Sequence, residues 1–378
     1  MEIIHLLSEH DELSSRNGSA ILTVCRELSA AAAQRSIRSW IGGGSDKVND
    51  LPAAVGVLYK ARAVRHERLV RLLDKLAKFT VGRSFSAPRL ESEDGLTPSD
   101  VFCHNQPWIA RTVRSSYPKS RVHLYVHNRI LMGAPPATVR RVLRQFDTII
   151  CVSNFIASDL QRRAGIDRNP RSDQYRFRTV FNGVDIKKFE QRSEDNQPVD
   201  IVYVGRIIPE KGAHVLSQAV ADIAASRKLQ VRLVGGHSFL PSGELTDYEK
   251  SVLRTLKMPN ITLHHTGPVP PSRIPGLINS AKIAVVPSVW DEPCALVFLE
   301  GMASSAAVVA TRVGGLPEVG DKAGVRFVNR GDPMDLSRAI LELLDNGLAR
   351  AHSADSSREW ARARPWATVF DDLVRAVS

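Results

Sequence analysis

Short runs of β-branched and other apolar residues recur along the chain, each followed by a longer stretch whose apolar positions repeat at helical spacing. In the first half the runs are "EIIHLL", "VFCH", "VHLYV" and "TIICV"; in the second they are "DIVYVG", "VRLVGG", "ITLHH", "KIAVVP" and "AVVAT". This alternation predicts βαβ units, with parallel strands covered by helices. The polar stretch "EQRSEDNQPVD" (190–200) separates the two series and has the composition of a linker. The pattern therefore predicts an α/β protein of two Rossmann-like, doubly wound domains, residues 1–186 and 200–350, facing each other across a cleft at the carboxyl ends of their strands. In the tail, Trp366, Val369, Phe370, Leu373 and Val374 have helical spacing, and residues 354–378 are expected to pack back on the first domain.

Length agrees with this division, since 378 residues exceed one ordinary core. The longest apolar runs fall well short of a membrane-spanning helix, and no basic flank, apolar core and cleavage site stand at the N-terminus, so a cytoplasmic protein is expected. Cys25, Cys103, Cys151 and Cys294 are scattered without metal-ligand spacing and read as small buried hydrophobes; no metal site is expected.

Charge changes the picture once it is divided. Residues 1–190 carry 30 Lys and Arg against 19 Asp and Glu, whereas residues 191–378 carry 21 of each. The whole excess of +11 sits in the first half, which suggests an anionic partner: a membrane face, a lipid-phosphate acceptor or nucleic acid. Residues 58–83, "LYKARAVRHERLVRLLDKLAKFTVGR", read as one basic amphipathic helix that either lies on an anionic membrane surface or turns its apolar stripe to the core.

Candidate chemistry concentrates in the second half. In "IVYVGRIIPEKG" (201–212) a buried strand breaks at Gly205, where a missing Cβ lets backbone approach a ligand, and Arg206 and Lys211 follow on the loop, placed to straddle a diphosphate. "KIAVVPSVW" is a second buried strand, "DEP" its exit loop, and "CALVFLEGMAS" a helix starting near Pro293 whose first amides suit an anion. Glu292 stands just ahead of that helix. Glu300 lies about one turn inside, where a carboxylate accepts hydrogen bonds from vicinal hydroxyls. His104 and His127 close first-half strands; His264 and His265 close a second-half one and suit a base pocket or a structural role better than a metal.

Glu292-x7-Glu300, preceded by "VVPSVWDEP" and followed by "AVVATRVGGLPEV", resembles the signature of family 4 retaining glycosyltransferases, which have the GT-B fold. "VGRIIPEKG", "VFNGVDIKKF" (180–189), "CVSNFIASDL" and "YVHNRI" match further ordered motifs of that family, so the similarity extends over most of the chain. The resemblance implies transfer of a sugar from a nucleoside-diphosphate donor to an acceptor hydroxyl with retention of configuration and without an essential metal or other cofactor. By it, Arg206 and Lys211 neutralise the leaving diphosphate, Glu300 holds the ribose, and Glu292 contacts hydroxyls of the donor sugar. The backbone at Gly205 and around Cys294, Ala295 and Leu296 lies against phosphate and sugar. His127 reaches the transferred sugar near its reacting carbon, and Gly18 in "SSRNGSA" matches a glycine loop below the phosphates. No general base is assigned. The chain departs from the family at Cys294-Ala295, where Phe-Gly is usual, and at Asn17-Gly18, where a second glycine is usual; these changes bear on sugar identity more than on the reaction.

The expected role is synthesis of a cell-envelope polysaccharide such as lipopolysaccharide, or of a glycolipid, with a carbohydrate or lipid-linked acceptor and a peripheral position at the inner membrane face. A dinucleotide oxidoreductase would need G-x-G-x-x-G after a strand, which neither "RNGSA" nor "LVGGH" supplies. A nucleic-acid binder lacks a recognition helix or an aromatic ribonucleoprotein strand, so no nucleic-acid partner is expected. The alternative to the transferase reading is a non-catalytic nucleotide-sugar- or nucleic-acid-binding protein on the same Rossmann-like scaffold.

Overall fold

The computed structural model describes residues 2–8, 13, 18–43, 58–60, 74, 77, 89–91, 95–166, 176–190, 197–238 and 243–378. The chain divides into two compact units, one of Met1–Ser15, Ser19–Phe181 and Val369–Ser378, the other of Arg16–Gly18 and Asn182–Thr368.

The first unit holds β1 (Glu2–Leu6), β2 (Arg38–Gly42), the short pair β3 (Leu58–Lys60) and β4 (Arg89–Glu91), β5 (Asp100–His104), β6 (Arg121–Val126), β7 (Thr148–Cys151) and β8 (Phe177–Thr179). Its main sheet runs β2-β1-β5-β6-β7-β8 with every pair parallel. β1, β5 and β7 are buried at every residue, which is why they read as unbroken apolar runs. Helix Ala20–Ala33 begins at the N-cap Ser19, whose side chain accepts from the Leu22 amide, and packs Leu22 and Cys25 against Leu7 and Ile41.

The second unit holds β9 (Val199–Val204), β10 (Leu229–Val234), β11 (Ile261–Gly267), β12 (Ala281–Val286), β13 (Ala307–Thr311) and β14 (Arg326–Val328), all parallel in the order β11-β10-β9-β12-β13-β14. Helices Ala213–Ala224 and Pro333–Asp345 pack on one face, where Leu216, Val220 and Ile340 meet Ile201, Val231 and Ile283. In each sheet the strand order reverses beside the first strand, at β1/β5 and at β9/β12. Such switch points leave a crevice at the carboxyl ends of parallel strands.

The structure departs from the sequence expectations in three places. Residues 58–60 are not helical: β3 pairs antiparallel with β4, and of the remainder of the 58–83 stretch Asp74 and Ala77 are helical while residues 61–73, 75–76 and 78–83 lie outside the described residues, as do 191–196 of the linker. Helix Gly347–Arg362 belongs to the second unit, whose end falls at 368 rather than 350; the part of the tail grouped with the first unit is Val369–Ser378, not 354–378. There Asp371 grips Arg35 at 2.5 and 2.6 Å, and the Val377 carbonyl accepts from Arg121 at 2.6 Å. Finally, the helix expected from Pro293 starts at Leu296. No helix among the described residues is long and apolar enough to cross a membrane.

Candidate active site

At the β9/β12 switch point a single exit loop, Pro287–Cys294, is clamped from both sides. Gly212, in a left-handed conformation at φ 71°, comes so close that a Cβ would sit 1.9 Å from the Pro287 carbonyl oxygen. Gly314, at φ 57°, presses equally on Glu292, and the Gly315 amide donates to the Glu292 carbonyl at 2.8 Å. The Val289 amide donates to the Glu210 carbonyl at 2.9 Å. These contacts hold the loop at Glu292; Pro293 and Cys294 form a bend and Ala295 is extended, so the following helix begins only at Leu296.

The clamp fixes side chains as well as backbone. Glu292 is 2% exposed, and at that burial an unpaired carboxylate would cost several kcal/mol. Lys211 supplies the charge, its Nζ 2.7 Å from Glu292 Oε1. Ser288 donates its hydroxyl to the same oxygen at 2.5 Å. Lys211 Nζ also lies 5.2 Å from the centre of the Trp290 ring, in cation–π range. In the structure Lys211 pairs with Glu292, a pairing the sequence did not suggest.

Arg206 follows Gly205 at the end of β9, and its carbonyl accepts from the Tyr203 hydroxyl at 2.6 Å. Gly205 adopts φ 151°, open to glycine alone. Burial raises the Tyr203 hydroxyl far above its usual range, with the Tyr248 hydroxyl and the Glu292 carboxylate adding to the shift and Arg206 opposing it; Tyr203 therefore stays neutral between the two charged residues. Glu300 is the fifth residue of helix Leu296–Ala303, half-buried, one turn past the N-cap Ala295. No side chain caps that N-terminus, so its leading amides keep their capacity for an anion. The Cys294 carbonyl accepts from the Asn182 side chain at 3.1 Å, tying "VFNGVD" to the loop, and burial pushes the Cys294 thiol up to about 11. His265 donates from Nε2 to the Gly235 carbonyl at 3.2 Å and so steadies the neighbouring glycine loop. The structure brings Lys211 and Glu292 into contact, ties the Arg206 backbone to Tyr203, and places Glu300 one turn inside the adjoining helix.

The first unit carries a different arrangement at its own switch point. His127, directly after β6, is 6% exposed; its Nε2 lies 2.8 Å from His104 Nδ1, and His104 Nε2 lies 2.9 Å from His5 Nδ1. Asn105, in a left-handed conformation at φ 52° that Asn tolerates better than most residues, accepts the His127 amide at 2.8 Å and the Asn128 amide at 3.4 Å. At the opposite end of β5 from His104, Asp100 is fully buried. Burial pushes its carboxyl up, but His123, Arg121 and Ser99 outweigh that and hold it below the usual range. Gly18, grouped with the second unit, immediately precedes the N-cap Ser19 in the chain and is half-buried. Among the described residues, one group of metal-capable side chains gathers: ligand atoms of His5, Cys25 and His104 lie within 4.8 Å of one another.

Residues 198–346 match the family model described as "Glycosyl transferases group 1". The matched segment contains Gly205, Arg206, Lys211, Glu292 and Glu300. The chain is also similar to D-inositol 3-phosphate glycosyltransferase 2 of Catenulispora acidiphila, 30% identical over 255 residues that cover 64% of this chain and 59% of that relative. The match thus spans less than two thirds of the relative's length. Among solved structures, Anabaena HepE in complex with UDP superposes with a TM-score of 0.71 at 15% identity, covering 99% of each chain. Sucrose-phosphate synthase of Thermosynechococcus elongatus gives a TM-score of 0.72 at 19% identity, covering 99% of this chain and 97% of that one. These likenesses show the GT-B fold; residues 198–346 are its second sheet with the flanking helices.

Proposed function

We propose that the protein is a retaining glycosyltransferase that moves a sugar from a nucleoside-diphosphate donor to an acceptor hydroxyl. The observation that carries this reading is the buried Lys211–Glu292 pair at the β9/β12 switch point, next to Arg206 and an uncapped helix N-terminus. An arriving diphosphate gives Lys211 a stronger anionic partner and frees Glu292 to accept hydroxyls of the donor sugar. Arg206 and Lys211 then stabilise the charge that builds on the leaving diphosphate, a task two side-chain cations perform without a metal. Glu300 takes the ribose hydroxyls, backbone around Cys294, Ala295 and Leu296 meets phosphate and sugar, and Gly18 and His127 keep the places the resemblance gives them.

The basic excess of residues 1–190 supports an anionic or lipid-linked acceptor in cell-envelope polysaccharide or glycolipid synthesis at the inner membrane face. Equal sedimentation with anionic and neutral liposomes would remove the membrane part of this reading.

Calorimetry and thermal shift with UDP, GDP, ADP and their sugar conjugates test the donor site, since a ligand bound to the folded state raises the melting temperature. One nucleotide is expected to bind, with Glu300→Ala weakening it by roughly tenfold, the worth of about one charge-assisted hydrogen bond. Binding without turnover toward any carbohydrate or lipid-linked acceptor would favour the non-catalytic reading, and no binding by any nucleotide would end both.

A further inference from the structure

We propose that His104 and His5 are positioning residues for His127, acting through a chain of three hydrogen-bonded imidazoles that fixes which nitrogen His127 offers to a ligand. The two links, at 2.9 and 2.8 Å, join β1, the end of β5 and the residue after β6 across the switch point of the first sheet. His5 and His104 are 0% and 1% exposed, so water does not compete for their nitrogens. Tyr125 stacks on His127 with ring centres 4.5 Å apart and on His104 at 5.0 Å, which holds the ring planes, while Asn105 holds the backbone.

Proton accounting gives the chain a direction. A neutral imidazole carries one N–H and one lone pair, so both links must run the same way. Run from His127 inward, the chain ends on a buried His5 Nε2–H, and that nitrogen has no partner among the described residues. Run from His5 outward, it ends with a proton on His127 Nδ1, a nitrogen that makes no hydrogen bond among the described residues, and leaves only a lone pair unmatched at His5. Buried N–H groups are stranded more rarely than acceptors, so the outward direction prevails. Burial keeps all three rings neutral, holding His5 and His127 down at about 3 and His104 well below its usual range, with His127 and His5 adding to the shift at His104. His127 is thereby a fixed hydrogen-bond donor through Nδ1, suited to a hydroxyl or phosphate oxygen. That this oxygen belongs to the donor substrate rests on the transferase reading above; the order of protons does not.

The test combines NMR of the full chain carrying 15N-labelled histidine with steady-state kinetics. Long-range 1H–15N spectra are expected to show wild-type His127 as the Nδ1–H tautomer, and His104→Leu to return it to the Nε2–H form that free imidazole side chains prefer. His104→Asn, whose amide can stand where Nδ1 stood, is expected to restore the wild-type signature. In turnover, His104→Leu is expected to lower kcat roughly tenfold with a smaller change in donor KM, and His104→Asn to recover most of it. The proposal is overturned by an Nε2–H tautomer at His127 in the wild type, or by an unchanged tautomer in a folded His104→Leu protein. It is equally overturned by one equivalent of zinc in the purified protein, because His5, Cys25 and His104 would then ligate metal with the nitrogens the chain requires. Should no donor be turned over at all, the transferase reading fails while the spectra still decide the imidazole chain.

Discussion

Between β9 and β12 the switch point is lined by charge: a lysine and a glutamate in contact, an arginine at the strand end, and glycine-clamped backbone around them. Between β1 and β5 the same topological position is lined by neutral rings, three imidazoles in line with a tyrosine stacked on two of them. Both sheets are all-parallel and reverse strand order beside their first strand, so fold alone does not separate them. What differs is how each buried polar group finds its partner. In the second unit a cation and an anion satisfy each other; in the first, neutral groups pass one hydrogen bond along.

The contrast is broken most severely by removing a cation. Arg206→Ala is expected to lower turnover about 100- to 1,000-fold, the loss typical of a group that stabilises developing charge. Lys211→Ala is expected to do the same and also to destabilise the fold, because it strands the buried Glu292 carboxylate. Matched kinetics and differential scanning calorimetry separate the two; wild-type turnover in both variants would remove the charge-lined site from the chemistry. Next in size, Gly212→Ala forces a Cβ into the Pro287 carbonyl and is expected to cost about 2–3 kcal/mol of stability in denaturant titration, with the donor site disordered alongside.

The ring-lined site is sharpened by acid. His5, His104 and His127 have folded pKa values pushed far below the 6.5 of an unfolded histidine. Above pH 6.5 both states leave them neutral and stability is flat. As pH falls from about 6.5 toward about 3, the unfolded chain takes up protons that the folded chain does not, so stability falls by up to about 1.4 kcal/mol per pH unit for each imidazole. His5→Leu is expected to flatten that slope by about one imidazole's share in urea unfolding between pH 4.5 and 7.5. An unchanged slope would mean that the rings titrate as exposed ones do.

Most strands were legible because parallel strands buried on both faces must be apolar throughout, and nothing else in the chain imitates "KIAVVP" or "TIICV". The edge strands β2, β8 and β14 escaped, since "RSWIG", "FRT" and "RFV" are partly exposed and carry polar residues as loops do. At the site, the charged positions were legible because strand-end glycines and charges at fixed spacing have few other uses. Ser288, Asn182 and Asn105 were not, since each acts through one hydrogen bond to a neighbouring strand or loop and a single polar residue has no period to detect. His5 was hidden inside the apolar run "EIIHLL". Its signal was parity: His5 and Phe102 are register partners, as are His104 and Tyr125, so the histidines of β1 and β5 share one sheet face with His123 and His127.

Asn105 anchors the two amides that open the segment leaving β6, and it does so from the end of β5. His127 therefore takes its position from upstream, independently of the residues that follow Asn128. Arg129 pairs with the buried Asp159 and the Ile130 carbonyl accepts from Arg163, so randomisation that spares both and starts at the exposed Met132 is the place to begin when retargeting the protein.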